Sequence, residues 1–137
     1  MDIKISRERA DSIEALNLID EHHRNMAVIY PGSLNHPFDP HRDAAPPGVF
    51  VIARLDGRAV GCGAIRPLDG PVGEVKRVFV RPECRRMGIA SRIMALLEET
   101  GLQNGFTWLR LETGTRQPEA IALYEHLGYR RISAFGE

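Results

Sequence analysis

The sequence predicts a mixed α/β domain built on one central sheet. Three observations predict it. Strand-like and helix-like segments follow the order strand, helix, loop, three strands, helix, strand, helix, strand. Two of the strand-like runs meet at Asp56-Gly57, a hairpin turn signal. Residues 88–102 carry Ile89, Ile93, Leu96 and Leu97 at i, i+4, i+7 and i+8, the apolar stripe of a helix lying on a sheet. The 137 residues, 43% of them apolar, suffice for one compact domain, residues 1–137, with a core of its own.

Each element has a local reason. IKISR, residues 3–7, alternates as a short strand does. From Asp11 a helical pattern sets in, with Ile13, Leu16, Leu18 and Ile19 apolar and Asp11 or Ser12 as the cap; it is expected to run to about Arg24. Residues 30–48 are rich in proline and read as a long loop with room for one helical turn. VFVIARLDG and RAVGCGAIRPLDG form the hairpin, and VGEVKRVFVRP follows as a third strand closed by Pro82. The helix over 88–102 ends among Gly101 and Gly105. TWLRLETG is a strand, and QPEAIALYEHLG is a short helix with Pro118 in its first turn and Gly128 as its C-terminal cap. YRRISAF, residues 129–135, is a last strand.

Composition narrows the function classes. Net charge is zero, so bulk attraction to nucleic acid or to an acidic membrane is not expected. The charged N-terminus, MDIKISRERAD, and the lack of a long apolar run predict neither a signal peptide nor a membrane span. Two cysteines, Cys62 and Cys84, make no disulfide framework, and a cytoplasmic, reducing setting is expected. Cys62 in its apolar strand reads as core, and Cys84 as a turn residue flanked by arginines. His22-His23 and the group His36, Asp39 and His41 match no common metal spacing, and no metal is expected.

Against zero net charge, one stretch stands out. Between Lys76 and Arg92 there are six basic residues and one acid, Glu83. RPECRRMGIASRIM takes the chain from a strand end through a tight turn into a helix starting near Gly88. A helix start leaves backbone N–H groups unpaired and carries partial positive charge, which makes an anion site. Gly88, Ala90 and Ser91 are small enough to let an anion approach, and Arg85 and Arg86 add charge-assisted donors. A pyrophosphate suits this arrangement better than a carboxylate does.

VFVRPECRRMGIASRIM resembles the acyl-CoA-binding motif of the GNAT superfamily of N-acetyltransferases, with Arg85, Gly88 and Ala90 at its Arg/Gln-x-x-Gly-x-Gly/Ala core. EAIALYEHLGYRR resembles that superfamily's second signature, through Ala120, Leu123-Tyr124 and Gly128-Tyr129. The resemblance implies an α/β (α+β) fold with a mixed, mostly antiparallel sheet flanked by helices. The strand that usually closes this sheet after the Gly-Tyr segment is not expected here, since the chain stops at Glu137. It further implies an acetyl-CoA-dependent N-acetyltransferase acting on the amine of a small molecule or protein by direct attack. The alternative is a non-catalytic acyl-CoA-binding or protein-interaction domain of the same fold.

Residue by residue, the resemblance places the pantetheine arm of acetyl-CoA along the backbone of Val78, Phe79 and Val80. It places the pyrophosphate on Arg85, Arg86, Met87, Gly88, Ile89, Ala90 and Ser91. Tyr124 matches the tyrosine that protonates the leaving thiolate; packing is its other reading. Glu74 matches a carboxylate that draws off the amine proton, with Glu112 as the competing base. Gln117 stands three before Ala120, where many relatives carry an asparagine that contacts the cofactor. The sheet edge left without its closing strand invites a homodimer.

Overall fold

The computed structural model describes residues 2–31, 38–113 and 116–132. Five strands form one sheet in chain order: β1 (Ile3–Arg7), β2 (Val49–Leu55), β3 (Arg58–Pro67), β4 (Val72–Val80) and β5 (Trp108–Arg110). The first four are antiparallel neighbours, and β5 pairs parallel with β4. The helices are α1 (Ile13–Ile29), a single turn α2 (Pro40–Asp43), α3 (Ile89–Gln103) and α4 (Pro118–His126). Among the described residues no helix is long and apolar enough to cross a membrane.

Alternation along β2 divides the core. Val49, Val51 and Ala53 join Ile93, Met94 and Leu97 of α3 on one face. Phe50 and Ile52 join Leu18 of α1 and Phe79 on the other. The helix α3 seats closely because β3 carries Gly63, where a Cβ would come within 2.7 Å of Ile93 Cγ2. The β2–β3 turn has Asp56 and Gly57 both at positive φ, 50° and 87°, the backbone of a type I′ hairpin.

Three expected elements differ. Ser12 caps α1, its Oγ accepting from Ala15 N–H at 3.1 Å, but the helix continues to Ile29, about a turn and a half past Arg24. The strand expected over residues 107–114 is cut to Trp108–Arg110, because β4 offers a partner only at Val72–Glu74. Residues 129–132 form no strand: Tyr129 closes the end of α4, its N–H donating to the Tyr124 carbonyl. The remainder of that expected strand, Ser133–Phe135, lies outside the described residues.

The site depends on two irregularities in β4. Cys62 stands opposite Phe79, while Ala64 stands opposite Lys76, so β4 carries one extra residue over this interval. Arg77 is in the bulge with φ 58°. Beyond Glu74, β5 no longer pairs with β4. The two parallel strands therefore part, and Val78–Val80 face the opening.

Candidate active site

The parted strands open into a cleft of about 820 Å³. Its walls come from Val78–Val80 of β4, the loop from Pro82 to Gly88, the first turn of α3, one face of α4 with Gln117, Ala120 and Tyr124, and one face of α1. Of the residues expected to hold acetyl-CoA, Val78, Phe79, Val80, Arg85, Arg86, Gly88, Ile89, Ala90, Ser91 and Gln117 all line it. Met87 does not; it is packed against the core beside α3.

The loop ahead of α3 is shaped by backbone conformation. Arg86 and Gly88 both have positive φ, 65° and 76°. A Cβ on Gly88 would meet nothing within 4 Å, so glycine is needed there for its φ and not for want of space. Gly88 caps α3 without a side chain, and the first turn contains no acid. Its free N–H groups thus face open space with no internal anion in competition. The four arginines of this stretch divide their work. Arg81 binds Glu21 at 2.8 Å, Arg85 Nε donates to the Val80 carbonyl at 3.0 Å, and Arg92 donates to the Ile3 carbonyl at 3.1 Å. Arg86 is exposed and makes no such bond among the described residues. Uncapped donors, open volume and a free guanidinium fit a pyrophosphate.

At the other wall Tyr124 turns its ring toward Tyr129, edge to face at 5.9 Å. Tyr129 is itself fixed by its hydroxyl, which donates to Glu98 Oε2 at 2.8 Å. The Tyr124 hydroxyl has no hydrogen-bond partner among the described residues, and burial pushes its pKa up to about 12. At neutral pH it is a phenol with its proton in place.

A model of the acetyltransferase (GNAT) family matches residues 16–129. The chain belongs to the GNAT family. It is 38% identical over 135 residues to an IAA acetyltransferase of Azospirillum brasilense, covering 98% of this chain and 88% of that one. A solved Klebsiella pneumoniae protein, provisionally named an acyl-CoA N-acyltransferase, superposes with a TM-score of 0.80 at 31% identity, covering 97% of this chain and 86% of that chain. A predicted acetyltransferase of Clostridium acetobutylicum, solved with acetyl-CoA, shares the fold at a TM-score of 0.75 and 15% identity, with 99% and 95% covered. The chain is an acetyl-CoA-dependent acetyltransferase.

Other expected residues of this GNAT chain lie away from the cleft. Glu74 is buried and paired with Arg66, Nη2 to Oε1 at 3.0 Å, in register between Arg66 and Arg110. It does not line the cleft, and neither does Glu112, which is exposed beyond the end of β5. Asp39 caps α2, its Oδ1 accepting from His41 N–H at 2.9 Å, and Asp43 is paired with Arg42 at 2.9 Å. His36 lies outside the described residues; among those described, no three His, Cys, Asp or Glu side chains gather to hold a metal. Cys62 and Cys84 are both buried free thiols, and of the two Cys84 does border the cleft.

The wall that sequence reasoning missed is α1. His22, Asn25, Met26 and Ile29 line the cleft. Positions 22, 26 and 29 share a helix face, a signal hidden once the helix was ended at Arg24. His22 stacks on Phe79 with centroids 5.3 Å apart, and its Nδ1 is buried without a hydrogen-bond partner among the described residues. Burial, then the charges of Arg77 and Arg85, push its pKa down to about 4, so the ring is neutral. Arg116 was missed too. Its Nη1 donates to the Ile29 carbonyl and its N–H to the Tyr30 hydroxyl, both at 2.9 Å, joining α1 to the start of α4 across the cleft.

Proposed function

We propose that the chain transfers acetyl from acetyl-CoA directly to an amine of a small molecule or protein, with Tyr124 as the proton donor to the departing thiolate. The observation that carries this reading is one cleft lined both by the uncapped start of α3 and by Tyr124. In it the N–H groups of Ile89, Ala90 and Ser91, with Arg86, hold the pyrophosphate. Arg85 braces the loop through Val80. The backbone of Val78–Val80, where β5 no longer pairs, takes the pantetheine arm, and Gln117 contacts it from α4. Bound acetyl-CoA supplies an activated thioester, so these residues chiefly position an amine against it.

In the transfer a C–N bond forms and the C–S bond breaks. The sulfur leaves with the bonding electrons and takes the Tyr124 proton. The amine proton passes through water to Glu74, which is outside the cleft lining and so not in direct contact. No covalent intermediate on the chain is needed, in keeping with two buried thiols. The test is thiol release from acetyl-CoA with a panel of amines and polyamines. Acetyl-CoA bound tightly with no amine raising thiol release would overturn the reading.

Assembly has its own observation. The edge strand β5 leaves Trp108 67% exposed. We propose that this edge pairs with a second copy, burying both tryptophans. A monomer in sedimentation at high concentration would remove that proposal.

A further inference from the structure

Arg116 lines the cleft where the last turn of α1 meets the start of α4. Its backbone N–H donates to the Tyr30 hydroxyl and its Nη1 to the Ile29 carbonyl, both at 2.9 Å, and its guanidinium carbon lies 5.6 Å from the centre of the Tyr30 ring. All of these partners are neutral. The fixing uses Nη1 alone: Nε and Nη2 have no hydrogen-bond partner, and no carboxylate pairs with the group, among the described residues. That free edge is the fork that takes both oxygens of a carboxylate elsewhere in this molecule, in Arg9–Asp11 and in Arg54–Glu8. Arginine does not shed its proton, so a held cation with its fork open stands in the lining.

The pyrophosphate loop is at a distance. Arg85, from that loop, lies 6.0 Å from the Phe79 ring, and His22 of α1 stacks on the same ring. Ile29, which holds Arg116, is seven residues farther along α1, about 10 Å away. The wall between them carries no acid: its α1 side chains are His22, Asn25, Met26 and Ile29. Glu21, beside His22 in sequence, is bonded to Arg81 at 2.8 Å. The acid in the lining is Glu119, which sits in the first turn of α4 and forms no ion pair with Arg116. A polyamine would therefore meet Arg85, Arg86 and Arg116 against one carboxylate.

We propose that Arg116 anchors a carboxylate of the acceptor through its Nε–Nη2 edge, and that the acceptor is a small monoamine bearing that carboxylate. This rests on the amine-acetylation reading above and adds the substrate class. The two oxygens take the two parallel N–H bonds of the fork. Because Nη1 and the backbone N–H are already bound to α1, the guanidinium is oriented before the acceptor arrives, and little side-chain freedom is lost on binding. The amine end then extends along the α1 wall toward Phe79 and Val80.

The test is calorimetric titration of CoA-loaded protein with glycine, β-alanine, γ-aminobutyrate, phenylalanine and glutamate, with their amides, and with spermidine. At least one acid should bind roughly 10- to 100-fold more tightly than its amide. Arg116→Gln should erase that preference while affinity for CoA stays unchanged. Arg116→Lys keeps the charge but loses the fork, so it should shrink the preference, and it serves if Arg116→Gln fails to fold. Tyr30→Phe loosens the link to α1 and keeps the cation, so the preference should survive in it. The anchor is overturned if no acid binds, if acid and amide bind alike, if Arg116→Gln keeps the preference, or if Tyr30→Phe erases it as fully. It is also overturned if Arg116→Gln weakens CoA more than dephospho-CoA, which would put the guanidinium on a cofactor phosphate. Thiol release is followed in parallel. Release driven by amides or spermidine and not by acids overturns the anchor alone. Acid binding without release from any amine overturns the acetylation reading and the acceptor assignment with it.

Discussion

The two ends of the cleft are built on opposite plans. At the start of α3 the donors are backbone N–H groups from consecutive residues, fixed by Gly88 and by Arg85, which binds the Val80 carbonyl where β4 ends. That end is complete in itself and its polar side chains are satisfied or exposed. At the inner end the groups are side chains from α1, β3 and β4, brought together across more than fifty residues of sequence. Two atoms there, His22 Nδ1 and Arg77 Nε, are buried without a hydrogen-bond partner among the described residues. A cofactor common to many enzymes can be held by main chain, which tolerates sequence change. An acceptor particular to one enzyme has to be recognised by side chains, and their unmet bonds are what it offers.

Breaking the backbone end should have the largest effect. Gly88→Glu puts a side chain into the open space at φ 76° and a negative charge at the helix start. Wild-type protein at a hundredfold excess of acetyl-CoA over Kd should gain about 2.7 kcal/mol, seen as a raised Tm. The variant should show no gain. Undiminished stabilisation would mean that the anion is bound somewhere else.

Tyr124→Phe comes next, with turnover falling roughly 10²–10⁴-fold. The ring and its edge contact with Tyr129 remain, so the fold and acetyl-CoA affinity should hold. Because burial places this phenol near 12, the wild-type rate should fall only at strongly alkaline pH, and the variant should lack that limb. Near-normal turnover with an unaltered profile would assign the tyrosine to packing. Glu74→Gln should cost less, about 10²-fold, at the low end of the usual range for a positioned base. It also leaves Arg66 without its partner, so a stability loss is expected. Lost stability with turnover intact would make Glu74 a structural partner of Arg66 alone.

The contrast between the two ends also explains what could be read from sequence. The phosphate loop is local: proline, arginines, glycine and an amphipathic helix stand within fourteen consecutive residues, and their order implies their geometry. The order of elements along the chain was equally legible up to α4, since each carries its own periodicity and turn signals. The shortening of β5 was not, because it follows from the path of β4 and not from TWLRLETG itself. A bulge in β4 is implied by the family resemblance, but its place at Arg77 was not legible, where an arginine takes a backbone conformation that its type does not announce. The α1 wall was half legible: the apolar periodicity to Ile19 was plain, but Asn25 and Met26 continue the helix for the sake of the cleft.

The smallest expected effect sharpens the comparison most directly, because it reads the strain of the inner end without any ligand. His22 is held near pKa 4 in the folded chain, against about 6.5 when unfolded. Above pH 6.5 the ring is neutral in both states and costs nothing by titration. As pH falls from 6.5 toward 4 the unfolded chain takes up a proton that the native ring refuses, so stability declines through that window. The whole loss is at most about 3 kcal/mol, and less to the extent that the ring meets solvent. His22→Phe keeps an aromatic ring against Phe79 and removes the titration. Urea unfolding at pH 7 and at pH 4.5 should then show a smaller acid loss in the variant, by about 1–2 kcal/mol. Ion-paired carboxylates such as Asp11, Glu14 and Asp43, whose pKa values lie below their usual range, weaken in acid equally in both proteins and cancel in the difference. Equal acid sensitivity in wild type and His22→Phe would mean that His22 is not held neutral, and that the inner end carries no unmet electrostatic demand at this position.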